Sequence, residues 1–388
     1  MGRTFNLEIN TTKKCNMSCT YCFEKETIKK ANKEEKKSII QPEEIVKFLE
    51  NNITYLNKNY TNLNVSLWGG EPTLNMDGLS SIILILKIQI ELFKKEGKLS
   101  KNFELIFRIF TNGKNYSNII KLIDLINSYH LKLEIQISYD GKESQRGNKL
   151  LNSMIHDNII KVDDYIKNSN NITLDLKSTL LLEDDFYEKY LEFIELNKLL
   201  HSKIQFNPTI EYYNQKNLDD YSTNEINKIK NKLLDEFLQI YKNEEKFYKD
   251  FGYFMFGWFS NYNLRNEDNK IIPSKLRKTC SAGINIHFID GKNHHMCHAD
   301  IYQKTEVKGI YEHTDNIKNN AIRHNVIMDL EKDEICAKCE ATVCFSCPSV
   351  NKQITNSLYI NQKTILCHVY QIFGLFDKKM NKNIFAYY

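Results

Sequence analysis

Between Cys22 and Cys280 this chain has no cysteine, although its 388 residues hold ten. Nor does it have a run fit to cross a membrane. The most apolar stretch, Ile82 to Phe93, is short and carries Lys87, Gln89 and Glu91. No secretory segment fits the start, where Met1-Gly2-Arg3-Thr4-Phe5 passes straight into an apolar strand. Without an export signal, cysteines in C-x-x-C spacings read as metal ligands rather than disulfides. A strong charge of one sign is also missing. The 53 basic and 49 acidic residues leave a net +4, which is no nucleic-acid footprint. No internal repeat or disordered linker stands out. These absences point to a cytoplasmic, air-sensitive metal protein with no nucleic-acid or membrane partner. The length allows a barrel-sized domain and one smaller domain.

What is present begins with Cys15-Asn16-Met17-Ser18-Cys19-Thr20-Tyr21-Cys22. A C-x3-C-x2-C triplet supplies three thiolates, whereas a cubane iron–sulfur cluster normally takes four. One iron is then open to a small molecule, as a catalytic metal site requires. Alone, the triplet also suits a zinc site or buried thiols that merely pack. Farther on, the strand-like run Leu63 to Trp68 leads into Gly69-Gly70-Glu71-Pro72. Two glycines permit close backbone approach or positive φ, and a carboxylate there can accept hydrogen bonds from an ammonium group.

Apolar strand-like runs fall at 5–10, 63–68, 103–110, 132–138, 172–181 and 203–208. Helical patterns near 41–56, 77–95, 116–128, 150–167 and 184–199 lie between them. This alternation predicts βα units on a parallel sheet. In such folds ligands bind at the carboxyl ends of strands. The triplet, the Gly-Gly-Glu-Pro turn, Asn112 in Thr111-Asn112-Gly113, and Ser138 before Tyr139-Asp140-Gly141 should therefore line one mouth. Each loop taken singly is an ordinary turn. Lys29 to Lys37 reads as a charged, solvated loop.

The remaining seven cysteines are Cys280, Cys297, Cys336, Cys339, Cys344, Cys347 and Cys367. The middle four read C-x2-C-x4-C-x2-C, too tight for a zinc ribbon, though a compact zinc knuckle would also suit. His294, His295 and His298 flank Cys297; they are either iron ligands or ordinary loop histidines.

Together, the triplet with aromatic Tyr21 and the Gly-Gly-Glu-Pro turn resemble the radical S-adenosylmethionine (SAM) enzymes. The seven later cysteines resemble the SPASM group of that family. The resemblance implies an α/β fold: a partial (β/α)6 radical SAM barrel at 1–210, a helical connector at 211–275, and a small cysteine-rich SPASM domain at 276–388. It implies three [4Fe-4S] clusters and S-adenosyl-L-methionine. Cys15, Cys19 and Cys22 would hold the SAM-binding cluster. Cys280, Cys297 and Cys347 would hold a nearer auxiliary cluster with a vacant or non-cysteine position. Cys336, Cys339, Cys344 and Cys367 would hold a distal one. Tyr21, Gly69, Gly70, Glu71, Asn112, Ser138 and Arg146 would contact SAM, with Glu71 on its amino group and Arg146 on its carboxylate. Phe110 departs from the glutamine often found before Thr-Asn-Gly. The implied activity is a peptide maturase. A 5′-deoxyadenosyl radical takes hydrogen from a ribosomally made precursor, and a thioether or other cross-link follows. The implied partners are that peptide, a separate leader-recognition protein, and a flavodoxin or ferredoxin electron donor. The rival readings are an anaerobic sulfatase-maturating enzyme and a non-catalytic metal-binding or electron-transfer protein.

Overall fold

The computed structural model describes residues 3–22, 24–33, 40–206, 208–210, 221–251, 285–295, 297–298 and 314–320. The chain forms two compact units, residues 1–175 with 281–327, and residues 176–280 with 328–388.

In the first unit the strands are β1 (Thr4–Thr12), β2 (Asn62–Gly69), β3 (Glu104–Thr111), β4 (Lys132–Ser138), β7 (Ile286–Asp290) and β8 (Asn293–His295). Their spatial order is β4-β3-β2-β1-β7-β8. All are parallel except β8, which returns antiparallel to β7. The hairpin β7–β8, from the stretch assigned above to the SPASM domain, thus extends the sheet beside β1. The helices of this unit are α1 (Lys25–Lys33), α2 (Pro42–Asn59), α3 (Met76–Lys95), α4 (Tyr116–Ser128) and α5 (Lys149–Ile166).

Strand register explains the core. Leu7 lies beside Val65, Val65 beside Phe107, and Phe107 beside Leu133. One step on, Ile9, Leu67, Ile109 and Ile135 form a second row. These eight side chains are at most 1% exposed, and each contributes about 1.5–3 kcal/mol by burial. The helices cover this face. Phe48 of α2 stacks on His287, the register partner of Leu7, with ring centroids 4.4 Å apart. Because side chains alternate along a strand, the opposite face carries Glu8, Ser66, Arg108 and Glu134 in one row. Asn10 and Trp68 lie beside each other in the next row.

Short polar residues set the helix starts. Asn75, Asn115 and Asn148 each accept a backbone N–H of the first turn of α3, α4 and α5. The expected solvated loop at 29–37 is corrected over its described part: Lys29 to Lys33 belong to α1, which buries Ile28. One buried residue is a weak periodic signal.

In the second unit β5 (Ile172–Leu180) pairs in parallel with β6 (Pro208–Ile210). Helices α6 (Phe186–Leu199) and α7 (Thr223–Phe251) meet through Phe186 and Phe237, 5.9 Å between centroids. The sixth strand forms at Pro208–Ile210 rather than at 203–208. Asn197 explains the shift. Its side chain donates to Ile204 O at 3.2 Å and accepts from Ile204 N at 3.1 Å, taking the groups that a ladder would use. The helical connector expected at 211–275 is described over 221–251, largely as α7; its aromatic residues from 252 onward lie outside the described residues.

Candidate functional site

The site grows from the end of β1, where residues 13–22 leave the sheet as a loop carrying Cys15, Cys19 and Cys22. The two glycines after β2 make room for it. A Cβ on Gly70 would lie 2.6 Å from the Lys14 carbonyl oxygen. A Cβ on Gly69, at φ +143°, would lie closer still to the Thr12 carbonyl oxygen. Backbone bonds then join the segments: Gly70 N donates to Thr12 O at 2.9 Å and Glu71 N to Lys14 O at 2.8 Å. Both glycines are therefore required by the chain's own cysteine loop.

Glu71 points into the protein and is fully buried. Its Oε1 accepts from Thr73 N at 3.1 Å, Thr73 Oγ1 at 2.6 Å and Thr111 Oγ1 at 2.8 Å. Its Oε2 accepts from Asn112 N at 2.7 Å. Four donors from within the chain thus engage the carboxylate expected to hold the SAM amino group. Burial raises the Glu71 pKa, opposed by the donors from Thr73, Asn112 and Thr111. Glu71 acts as a knot between the ends of β2 and β3.

Asn112, held by that knot, reaches back to the loop. Its Nδ2 donates to Asn16 Oδ1 at 2.8 Å and lies 3.8 Å from Cys15 Sγ. Lys114 Nζ donates to Asn16 O at 3.1 Å. From the other side Asn32 of α1 pairs with the Cys15 backbone, accepting from its N at 3.2 Å and donating to its O at 2.9 Å. Sequence reasoning missed Asn32, because a lone polar residue in a charged stretch gives no signal.

The segment after β4 closes the third side. The Tyr21 hydroxyl donates to Asp140 Oδ2. Arg146 Nη1 donates to Tyr21 Oη at 2.9 Å and lies 3.4 Å from Asp140 Oδ2. Thr20 Oγ1 donates to Gln145 Oε1 at 3.0 Å. Arg146 therefore meets the triplet loop. Its Nε is buried and has no hydrogen-bond partner among the described residues. Burial opposes its charge, but Tyr21 and Asp140 outweigh that and raise its pKa. Asp140 completes the network; its only sequence signal was its place in a turn. Ser138 ends β4 half-buried on the polar face.

Burial pushes the Cys15 thiol up to about 11 and the Cys22 thiol to about 12, and raises Cys19 as well. Negative charge on one thiol raises the others, so all three lie in one electrostatic neighbourhood. A bound metal reverses this, since a coordinating thiol is deprotonated. Among the described residues no three His, Cys, Asp or Glu side chains converge on the scale of a single ion. A four-iron cluster gives each thiolate its own iron, and three soft sulfurs suit it.

Of the seven later cysteines, Cys297 is described and is buried. Cys280, Cys336, Cys339, Cys344, Cys347 and Cys367 lie outside the described residues. Next to Cys297, the backbone N and Nδ1 of His298 both lie 3.1 Å from Glu8 Oε2. Its ring stacks on Trp68 with 4.0 Å between centroids, and Trp68 packs edge-on against Phe110. His294 Nε2 sits 3.0 Å from Glu44 Oε1, and its Nδ1 2.8 Å from His287 Nε2. Burial lowers His295 to about 4. His294 and His298 are thus engaged by carboxylates of the first unit.

Residues 9–141 match the family model of the Radical SAM superfamily. This part of the chain is a radical SAM domain, and that family implies a [4Fe-4S] cluster and S-adenosylmethionine. Among solved structures, native anSMEcpe with bound AdoMet has a TM-score of 0.64 at 15% identity, covering 97% of both chains. Streptococcus suis SuiB bound to S-adenosylmethionine has a TM-score of 0.53 at 14% identity, covering 92% of this chain and 75% of that one. At these identities the likeness is one of fold: α/β with a parallel sheet of radical SAM type. No curated protein matches the chain.

Proposed function

We propose that this chain is a radical SAM peptide maturase of the SPASM type, acting on a ribosomally made precursor and forming a thioether or other cross-link. One observation carries the reading. Cys297, assigned to the nearer auxiliary cluster, directly precedes His298, which bonds Glu8 of β1, the strand that delivers Cys15. A second metal group held there would face the same polar side of the sheet as the SAM site.

In this reading Cys15, Cys19 and Cys22 hold the site cluster. A reduced cluster bound there would supply one-electron chemistry to SAM, and through it the means to take hydrogen from a peptide carbon. Glu71 and the two glycines fix the loop. Arg146, held by Tyr21 and Asp140, orients the SAM carboxylate. Arg108 and Glu134 present charge to a peptide. Cys280 and Cys347 join Cys297 at the nearer cluster, and Cys336, Cys339, Cys344 and Cys367 hold the distal one. A leader-recognition protein and a flavodoxin or ferredoxin serve as partners.

An anaerobic sulfatase-maturating enzyme is the second reading, favoured by the full-length likeness to anSMEcpe. The absence of cysteine between Cys22 and Cys280 argues against it.

The test is anaerobic purification with metal analysis, then incubation with SAM and a precursor peptide encoded beside this chain. About twelve irons per chain are expected from three four-iron clusters, with 5′-deoxyadenosine and a peptide lighter by two hydrogens. Replacing Cys15, Cys19 and Cys22 by Ala should remove about four irons and all SAM cleavage. Stoichiometric zinc in place of iron would overturn the reading.

A further inference from the structure

The three triplet thiols are not equivalent. Cys15 Sγ lies 3.8 Å from the side-chain amide of Asn112, within reach of a weak N–H···S bond. The orientation of that amide is determined at both ends. Its Nδ2 donates to Asn16 Oδ1 at 2.8 Å, and its Oδ1 accepts from Lys114 N at 2.9 Å. A flipped amide would set oxygen against oxygen and N–H against N–H. The residue is 5% exposed, and Glu71 holds its backbone N. An amide fixed this firmly keeps one N–H near the sulfur at little further entropic cost.

We propose that Asn112 is a positioning residue that tunes the site cluster, its amide N–H stabilising charge on Cys15 Sγ and so raising the cluster's reduction potential. This rests on reading Cys15, Cys19 and Cys22 as cluster ligands. The sign follows from charge. Reduction adds negative charge that the ligand sulfurs share, and a donor to a sulfur favours the reduced form. Asn112 thereby acts through Cys15 as well as lining the mouth expected for SAM.

The experiment is a redox titration of the anaerobically loaded protein without SAM, followed by electron paramagnetic resonance. The site cluster is recognised as the signal that later changes on adding SAM. Asn112→Ala should keep iron and sulfide at wild-type levels and move the midpoint negative. A tenfold smaller reduced-to-oxidised ratio at a fixed poise corresponds to about 59 mV for one electron. Asn16→Ala removes the other amide partner and leaves the N–H···S contact, so it should move the midpoint less. Equal shifts in the two variants would assign the effect to loop placement and overturn the tuning role. An unchanged midpoint in Asn112→Ala would do the same. If that variant fails to load, Asn112→Asp keeps the shape and exchanges donor for acceptor. It should shift the midpoint farther negative; a wild-type midpoint, or loss of the cluster here too, also overturns the tuning role. A wild-type protein that takes up no iron refutes the ligand assignment instead.

Discussion

Glu71 Oε2 and Asn112 N lie 2.7 Å apart, and through this bond one buried carboxylate ties the turn after β2 to the turn after β3. Glu71→Gln puts an NH2 group among four donors, leaving at least one N–H or O–H unpaired. The expected cost is about 1–3 kcal/mol of stability, read by urea denaturation, with weaker SAM binding as a consequence. A variant as stable as wild type that nevertheless loses SAM would restore Glu71 as a direct ligand. Burial raises the Glu71 pKa, so the folded state holds this proton more tightly than the unfolded chain. Its contribution is full below the ordinary carboxylate range and falls as pH rises through the raised pKa. Glu71→Gln should flatten that part of the stability–pH curve.

Arg146 and Asp140 form an ion pair with side-chain exposures of 11% and 2%. Arg146→Leu removes the cation beside the buried Asp140 carboxylate and leaves the Tyr21 hydroxyl on it, at a cost of about 3–5 kcal/mol. Adding Asp140→Asn should recover much of that stability without recovering SAM affinity. Additive losses in the double variant would mean that the pair is not coupled.

Gly70→Ala places a methyl 2.6 Å from the Lys14 carbonyl, a contact with backbone that cannot rotate away. The cysteine loop must shift. Iron content at the first cluster should fall while the far-ultraviolet circular dichroism is kept. Full iron loading in this variant would show that the loop tolerates displacement.

The nearer auxiliary cluster is assigned only Cys280, Cys297 and Cys347. Both ring nitrogens of His294 are already engaged, by Glu44 and His287, which leaves it no free nitrogen for iron. A thiol-containing precursor should change that cluster's electron paramagnetic resonance signal, whereas its cysteine-to-serine form should not. An identical response to both peptides would remove the main reason for preferring a thioether product.

Much of this was legible in the sequence because it rests on short-range pattern. β4 lies where alternation predicted it, and the other described strands of the first unit that were foreseen, β1 to β3, differ by at most two residues. The triplet and the Gly-Gly-Glu-Pro turn announced themselves by spacing. What stayed hidden depends on contacts between distant segments. Glu71 has the right chemistry for an ammonium, and only its burial shows that Thr73, Thr111 and Asn112 have claimed it. Asn32 and His287 carry no local signature, and Asp140 only its place in a turn. The late start of β6 follows from one side chain, Asn197, capturing the backbone of Ile204.

The alternation along the strands separates two kinds of evolutionary freedom. Changing Phe107 or Val65 disturbs the packed rows beneath the helices, and such changes to smaller residues cost about 2–5 kcal/mol. Arg108 and Glu134 lie one position away on the other face, 35% and 36% exposed, and belong to no packed row. Selection can rewrite that pair, and with it the charge on that face of the sheet, while the scaffold stays unaltered. A lineage built on this sheet could thus change its polar face by a handful of substitutions in odd-or-even register, never touching the packed rows or the cysteine loop.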